Sequence, residues 1–446
     1  MLTIVTPEEM AAVDAGATEP LEVLIERAGI AVAWAARRFL GGTYGRRVVV
    51  IAGKGNNGAD GRVAARRLQG WGARVQIVDA ADPGTVAAAD LVIDAAYGTG
   101  LSRSYQPPTV QAPVLAVDIA SGVNGLTGEV IGGALEAVET VTFQALKPGL
   151  LFPPGSGCAG DIFVADLGLD VSGSRAHLID KSDVSSWLPG RPLDSHKWKT
   201  ACWVIAGSPA MAGAGQLAAA AAARSGAGYV RLSSPGTMGP NAAEVVRHEL
   251  GSSGWSGCLD DIGRFASLVI GPGLGRHADM RSDVRAALAS TSLPAVVDAD
   301  ALVAIGQDLD IVAGRGGATV LTPHDGEFEA LTGARPGLDR IQSARALAAR
   351  ARSVVLLKGS ATVVAEPGGE VLVSASGDQR LASAGTGDVL AGVIGALMAT
   401  GSPPFEAAVC GAWLHGKTAT STSRHAMVAS DLLTTLPEVI DATHMG

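Results

Sequence analysis

The sequence predicts an α/β protein built from two successive domains, and three observations carry that prediction. The chain has 446 residues, more than one ordinary hydrophobic core organises. Apolar runs of strand length alternate with Ala/Leu/Arg stretches of helical period, as in βαβ units around a buried parallel sheet. The alternation runs twice, on either side of a polar, proline-containing stretch.

In the first half the strand-like runs fall at 47–52, 73–78, 91–94 and 114–118, with a helix expected over 60–70. In the second half they fall at 202–206, 267–270, 295–298, 318–321 and 353–357. The polar stretch gives the expected division: a domain over 1–170, a linker over 171–195 and a second domain over 196–446.

Composition narrows the class. Hydrophobic residues make up 47% and charged residues 17%, which suits a folded chain and excludes a disordered one. The net charge of -9, without any Lys/Arg-rich stretch, argues against a nucleic-acid partner. Cys158, Cys202, Cys258 and Cys410 are widely spaced, so neither a disulfide framework nor a zinc site is expected. No basic region precedes an apolar run at the start, and the Ala-rich run 216–223 is too short to span a bilayer. These readings predict a cytoplasmic enzyme with no membrane association.

The first motif follows the strand at 47–52. Gly53, Gly55 and Gly58 satisfy GxGxxG, and Asp79 stands where a ribose-binding acid would, so a dinucleotide-binding dehydrogenase domain is one reading. That reading leaves Asn56, Asn57 and Asp60 unexplained; their side-chain oxygens suit a hard cation or a polar ligand. Asp94 and Asp118 end the next strands, each followed by a polar loop, and loops at the carboxyl ends of parallel strands share one crevice. Helix or turn capping is the competing role for each aspartate.

Several segments in order resemble the NAD(P)H-hydrate epimerases: Leu24-Ile25-Glu26-Arg27-Ala28-Gly29, Gly55-Asn56-Asn57-Gly58-Ala59-Asp60-Gly61, Val92-Ile93-Asp94-Ala95, Gly98-Thr99-Gly100-Leu101, Val117-Asp118-Ile119-Ala120-Ser121-Gly122 and Phe143-Gln144-Ala145-Leu146-Lys147-Pro148-Gly149. The resemblance implies a Rossmann-like three-layer α/β/α domain. It further implies contacts to the hydrated nicotinamide cofactor from Asn56, Asn57, Gly58, Ala59 and Asp60, from Gly98, Thr99, Gly100, Leu101, Ser102, Arg103 and Ser104, and from Asp118. It assigns a potassium ion to Asn57, Asp94 and Ser121. Ala59 and Ala120 stand where that family has Gly and Pro, and Ala59 is strained if its position needs positive φ. Epimerisation at C6 calls for a poised acid/base group; Asp118 is the first candidate and Lys147 the second, with a solvated turn as the other reading of Lys147.

In the second half, Ala384-Gly385-Thr386-Gly387-Asp388 leads small residues into a helix. Free amides at a helix start form an anion hole, and Asp388 beside it can take a proton from an attacking hydroxyl. This resembles the ribokinase-like superfamily. With His196-Lys197, Ala206-Gly207-Ser208, Met211-Ala212-Gly213-Ala214, Ile270-Gly271-Pro272-Gly273-Leu274-Gly275, Asp298-Ala299-Asp300-Ala301-Leu302, Leu321-Thr322-Pro323-His324-Asp325-Gly326-Glu327 and Leu357-Lys358-Gly359-Ser360-Ala361-Thr362, it resembles the ADP/ATP-dependent NAD(P)H-hydrate dehydratases. The resemblance implies a ribokinase-like α/β domain in which Ala214, Gly273, His324 and Asp388 contact the hydrate. AMP would be held by Lys358, Gly359, Ser360, Ala361, Thr362 and Gly387. It implies catalysis by Asp388, magnesium at the nucleotide phosphates, ADP or ATP as co-substrate, hydrates of NADH and NADPH as substrates, and a homo-oligomer. Capping is the other reading of His324. Val303, His248-Glu249 and Asp378-Gln379-Arg380-Leu381 depart from the family pattern. Two other functions stay open: a small-molecule kinase fused to a nucleotide-binding Rossmann module, and a first half that senses or binds without catalysis.

Overall fold

A computed structural model describes residues 1–82, 84, 86–101, 103–191, 193–236, 242–422 and 426–444. The chain forms two compact units, Leu2–Ala176 and, beginning at His177, the remainder.

The first unit holds a six-stranded sheet of β1 (Arg47–Ala52), β2 (Arg74–Asp79), β3 (Leu91–Ala95), β4 (Val114–Val117), β5 (Glu139–Phe143) and β6 (Asp161–Ala165). The order is β2-β1-β3-β4-β5-β6 and every pairing is parallel. Strands buried on both faces need continuous apolar runs, and β1, β3 and β4 have them; edge strand β2 is largely exposed. Three helices matter for the site: α1 (Pro7–Ala15), started by a Thr6–Glu9 capping box, α2 (Leu21–Phe39) and α3 (Asn56–Gly70). Strand order reverses between β1 and β3, and there the crevice of an open α/β sheet forms.

The second unit's sheet includes β7 (Ala201–Ile205), β8 (Tyr229–Ser233), β9 (Val245–Arg247), β10 (Ser267–Ile270), β11 (Ala295–Val297), β12 (Thr319–Leu321), β13 (Val354–Leu357), β14 (Thr362–Ala365) and β15 (Val371–Ser374). They run in the order β15-β14-β13-β12-β11-β10-β7-β8-β9, parallel from β9 to β13 and then antiparallel through β14 and β15. Its helices include α4 (Ala212–Arg224), α5 (Asp325–Thr332), α6 (Thr386–Ala399), α7 (Pro404–Ser421) and α8 (Ala429–His444). Helix α6 is apolar nearly all round, so it is buried, packed against α4, α7 and the sheet. Gly392 permits that approach: a Cβ there would lie 2.1 Å from Ala218 O.

Each unit has its own apolar cluster, drawn from residues 5–171 in the first and 179–440 in the second. The stretch expected as a linker contains a helix, Lys181–Trp187, capped by Asp180, with Val184 and Leu188 in the second core. A capping box and two apolar anchors ordered a segment whose polarity alone reads as loop. No described helix is long and apolar enough to cross a membrane.

Candidate active sites

In the first unit, β1 runs into Gly53, whose missing side chain matters because a Cβ would lie 1.9 Å from Ala96 O. The next helix starts at Asn56, four residues earlier than expected, with Gly55 as an extended N-cap. The Asn-Asn-Gly segment is therefore the helix's first turn, where N–H groups have no intrahelical partner and suit an anion or polar ligand. Ala59 lies in this helix outside the positive-φ residues, so the strain considered for it does not arise.

A cavity of about 790 Å³ opens at this end of the sheet, within the size range of nucleotide-binding pockets. Of the residues singled out above, Asn56, Asn57, Asp60, Gly98, Thr99, Gly100, Leu101, Arg103 and Asp118 line it. Gly58, Ala59 and Ser104 are not among its lining residues, and Ser102 lies outside the described residues. Asp79 is exposed and its Oδ1 accepts from Ala81 N, so it closes a turn instead of meeting a ribose. Met10, Leu24, Phe143 and Leu167 supply apolar wall, and α1 adds Asp14, a carboxyl that nothing in the sequence marked out.

Lys147 is buried at 1% exposure, which rules out a solvated turn. Its Nζ stands 2.7 Å from Asp118 Oδ1 and donates to Thr142 Oγ1 and Phe143 O. Thr142 Oγ1 also donates to Asp118 Oδ1 at 3.1 Å. Asp118 has φ +67, a left-handed conformation uncommon outside glycine. The Asp60 carboxyl, on a residue at 6% exposure, has no hydrogen bond or ion pair among the described residues. Burial, helped by the Asp118 charge, pushes its carboxyl up to about 8.

Below the cavity, Asp94 is fully buried. Its oxygens accept from Ser121 N at 2.9 Å and Ser121 Oγ at 2.7 Å, and burial raises its pKa. Ser121 Oγ also meets the Tyr97 backbone, tying the loops after β3 and β4 together. Both polar atoms of the Asn57 side chain are buried without a partner. Oxygen-only donors of this kind suit a weakly hydrated monovalent cation.

In the second unit, β11, β12 and β13 are followed directly by Asp298, Thr322 and Lys358. Asp298 Oδ1 receives Lys358 Nζ at 2.6 Å and Thr322 Oγ1 at 2.7 Å. Opposite them, Gly385, at φ +90, caps α6 and presents its first-turn amides. A Cβ on Gly387 would lie 3.4 Å from Lys358 Nζ, so the ammonium borders the anion hole. Asp388 is pushed up to about 7, first by burial and then by the Asp298 charge, with Asp300 and Glu327 adding and Lys358 opposing.

Gly273, at φ +62, abuts Ala214: a Cβ there would stand 2.8 Å from Ala214 Cβ. His324 caps α5, its Nδ1 accepting from Gly326 N and Glu327 N, while Nε2 faces Glu327 Oε1 at 3.3 Å. The capping reading of His324 holds, and the cap fixes a ring that stays more than half exposed. Gly359 and Ser360 are exposed, Thr362 half-buried, and Ala361 buried, which limits Ala361 to backbone contacts. Arg340, missed in the sequence, braces this loop by donating to Lys358 O and Asp325.

Residues 202–441 match the family model described as NAD(P)H-hydrate dehydratase, and 21–85 with 77–149 match that of the YjeF-related protein N-terminus. The bifunctional NAD(P)H-hydrate repair enzyme of Moorella thermoacetica is 34% identical, covering 98% of this chain and 96% of its own. That of Mycobacterium tuberculosis is 37% identical, with 88% of each chain covered. Among solved structures, the ADP/ATP-dependent NAD(P)H-hydrate dehydratase of Bacillus subtilis, co-crystallised with ATP/Mg2+, superposes with a TM-score of 0.51. It is 29% identical and covers 59% of this chain and 97% of its own. A ribokinase-like superfamily protein of Enterococcus faecalis shares the fold at a TM-score of 0.54 and 21% identity, over 61% of this chain and 97% of its own.

Proposed function

The chain belongs to the bifunctional NAD(P)H-hydrate repair enzymes, and we propose that its two units act in turn on one damaged cofactor. The first interconverts the R and S epimers of the hydrate. The second dehydrates the S epimer to NAD(P)H at the expense of ADP or ATP.

The grouping of Asp388, Lys358 and the α6 amides carries the dehydratase assignment. Asp388 takes the proton of the C6 hydroxyl as that oxygen attacks the terminal phosphoryl group. The Gly387 and Asp388 amides and Lys358 face the charge that develops on the phosphoryl oxygens. Phosphate then leaves C6, and loss of a C5 proton forms the double bond. Ala214, Gly273 and the capped His324 ring line the hydrate's side, and residues 358–362 meet the nucleotide. Magnesium, when bound, would neutralise its phosphates.

In the first unit Asp118, paired with Lys147, is the proposed acid/base group. A potassium ion on Asn57 Oδ1, Asp94 and Ser121 is supported by the buried, unpartnered Asn57 side chain and by a buried Asp94 whose pKa is raised without a cation. Such an ion would supply a fixed positive charge beside the hydrate.

Absorbance at 340 nm, followed as mixed epimers of NADH hydrate meet enzyme, magnesium and ADP or ATP, tests the reading. Full recovery above the spontaneous rate is expected. Recovery that stops at the one-epimer fraction would remove the epimerase; no recovery would remove the repair function altogether.

A further inference from the structure

Two of the carboxyl groups that line the first unit's cavity, Asp118 and Asp60, lie in contrasting surroundings. Asp118 is met by an ammonium at 2.7 Å and a hydroxyl at 3.1 Å, donors that suit a carboxylate. Asp60 comes from a different element, is 6% exposed, faces the same cavity and has no partner among the described residues. A buried carboxyl without a donor is costly as an anion and persists as the neutral acid; its pKa of about 8 agrees. Two carboxyls in surroundings this different divide into an acid and a base. Lys147, the only lysine among the described lining residues, is engaged by Asp118, and Asp14 adds a further carboxyl group to the lining, which also includes Arg103.

We propose that Asp60 is the general acid of epimerisation, and that C6 is inverted by breaking and remaking its bond to oxygen while the ring stays closed. The proposal rests on the epimerase reading of this unit and extends it. C6 carries both the hydroxyl and ring nitrogen N1. Asp60 gives its proton to the hydroxyl; the C6–O bond breaks and water leaves with its electron pair. The N1 lone pair forms a C6=N1 bond, and the positive charge develops among the carboxyl groups. A water molecule then adds to C6 from the opposite face, the C=N pair returns to N1, and Asp118 accepts the proton released. Asp60 and Asp118 have then exchanged protonation states, so the reverse inversion runs with their roles exchanged.

The full-length enzyme is incubated without nucleotide, in water enriched in 18O, with one epimer of NADH hydrate. The inverted epimer is separated and weighed by mass spectrometry against an enzyme-free control. Inverted product carrying 18O at C6 is expected; inverted product that keeps 16O overturns this proposal alone. A failure to interconvert the epimers overturns the epimerase reading with it. For Asp60→Asn, a fall in epimerisation kcat of about 10²–10³ with KM within a few-fold is expected; an unchanged kcat overturns the role of Asp60.

Discussion

Lys358 Nζ stands 2.6 Å from Asp298 Oδ1 and, across Gly387, borders the start of α6. One ammonium thus joins the carboxyl end of β11 to the anion hole. Burial alone would lower the Lys358 pKa, but the Asp298 and Glu327 charges outweigh it and hold it above the ordinary lysine value. Lys358→Met removes the cation and leaves Asp298 buried at 1% exposure without its counter-charge. Removing one partner of a buried pair costs about 3–5 kcal/mol. We expect the second unit to melt several degrees lower by calorimetry, and dehydration to slow by about 10²-fold or more.

The dehydratase has a pH dependence with a definite sign. As the proposed base Asp388 must be ionised, and its carboxyl is pushed up to about 7. The acid limb of kcat/KM therefore falls about tenfold per pH unit below roughly 7. The Asp298 charge is the largest charge raising it, so Asp298→Asn shifts that limb to lower pH. An acid limb that stays in place in the variant would detach Asp388 from it.

Asp60 links function to stability. Its folded value of about 8 lies above the unfolded 3.8, so folding favours the protonated form. Its contribution is fully present below pH about 4 and is lost as pH rises through about 8. At high pH the loss is on the order of 5 kcal/mol. Asp60→Asn should therefore match wild type in the first unit's melting temperature near pH 4 and exceed it at pH 9.

Potassium should raise the first unit's melting temperature and its epimerisation rate, with sodium much weaker. Asn57→Ala removes the buried, unpartnered amide oxygen and should abolish the response to potassium in both readouts. A variant that responds like wild type would move the ion elsewhere.

The glycine at the start of α3 is equally testable. A Cβ on Gly58 would lie 1.9 Å from Gly53 O, with backbone on both sides of the clash. Gly58→Ala should unfold the first unit or lower its melting temperature by more than 10 °C, on the order of 2 kcal/mol or above. The dehydratase rate from the S epimer should hold.

Much of this was legible from periodicity. The buried parallel strands announced themselves, and the run at 267–270 matches β10 residue for residue. A strand with mixed faces, such as β6, lacks so clean a signal. The start of α3 was hidden because Asn-Asn-Gly reads as loop by propensity, whereas the Gly53 approach to β3 forces the chain into a helix there. Asp94, Asp118 and Asp388 could be found from strand ends and a glycine-rich helix start. The isolation of Asp60 and the burial of Lys147 could not, because both depend on which groups the fold brings near them.

The separate apolar clusters have a consequence for how such a chain changes over generations. A substitution that loosens packing among residues 5–171 weakens one activity and leaves the other's support intact. Selection can thus relax on either half independently. A lineage that no longer needs epimer interconversion could accumulate core mutations in the first unit, while the second remains under full constraint.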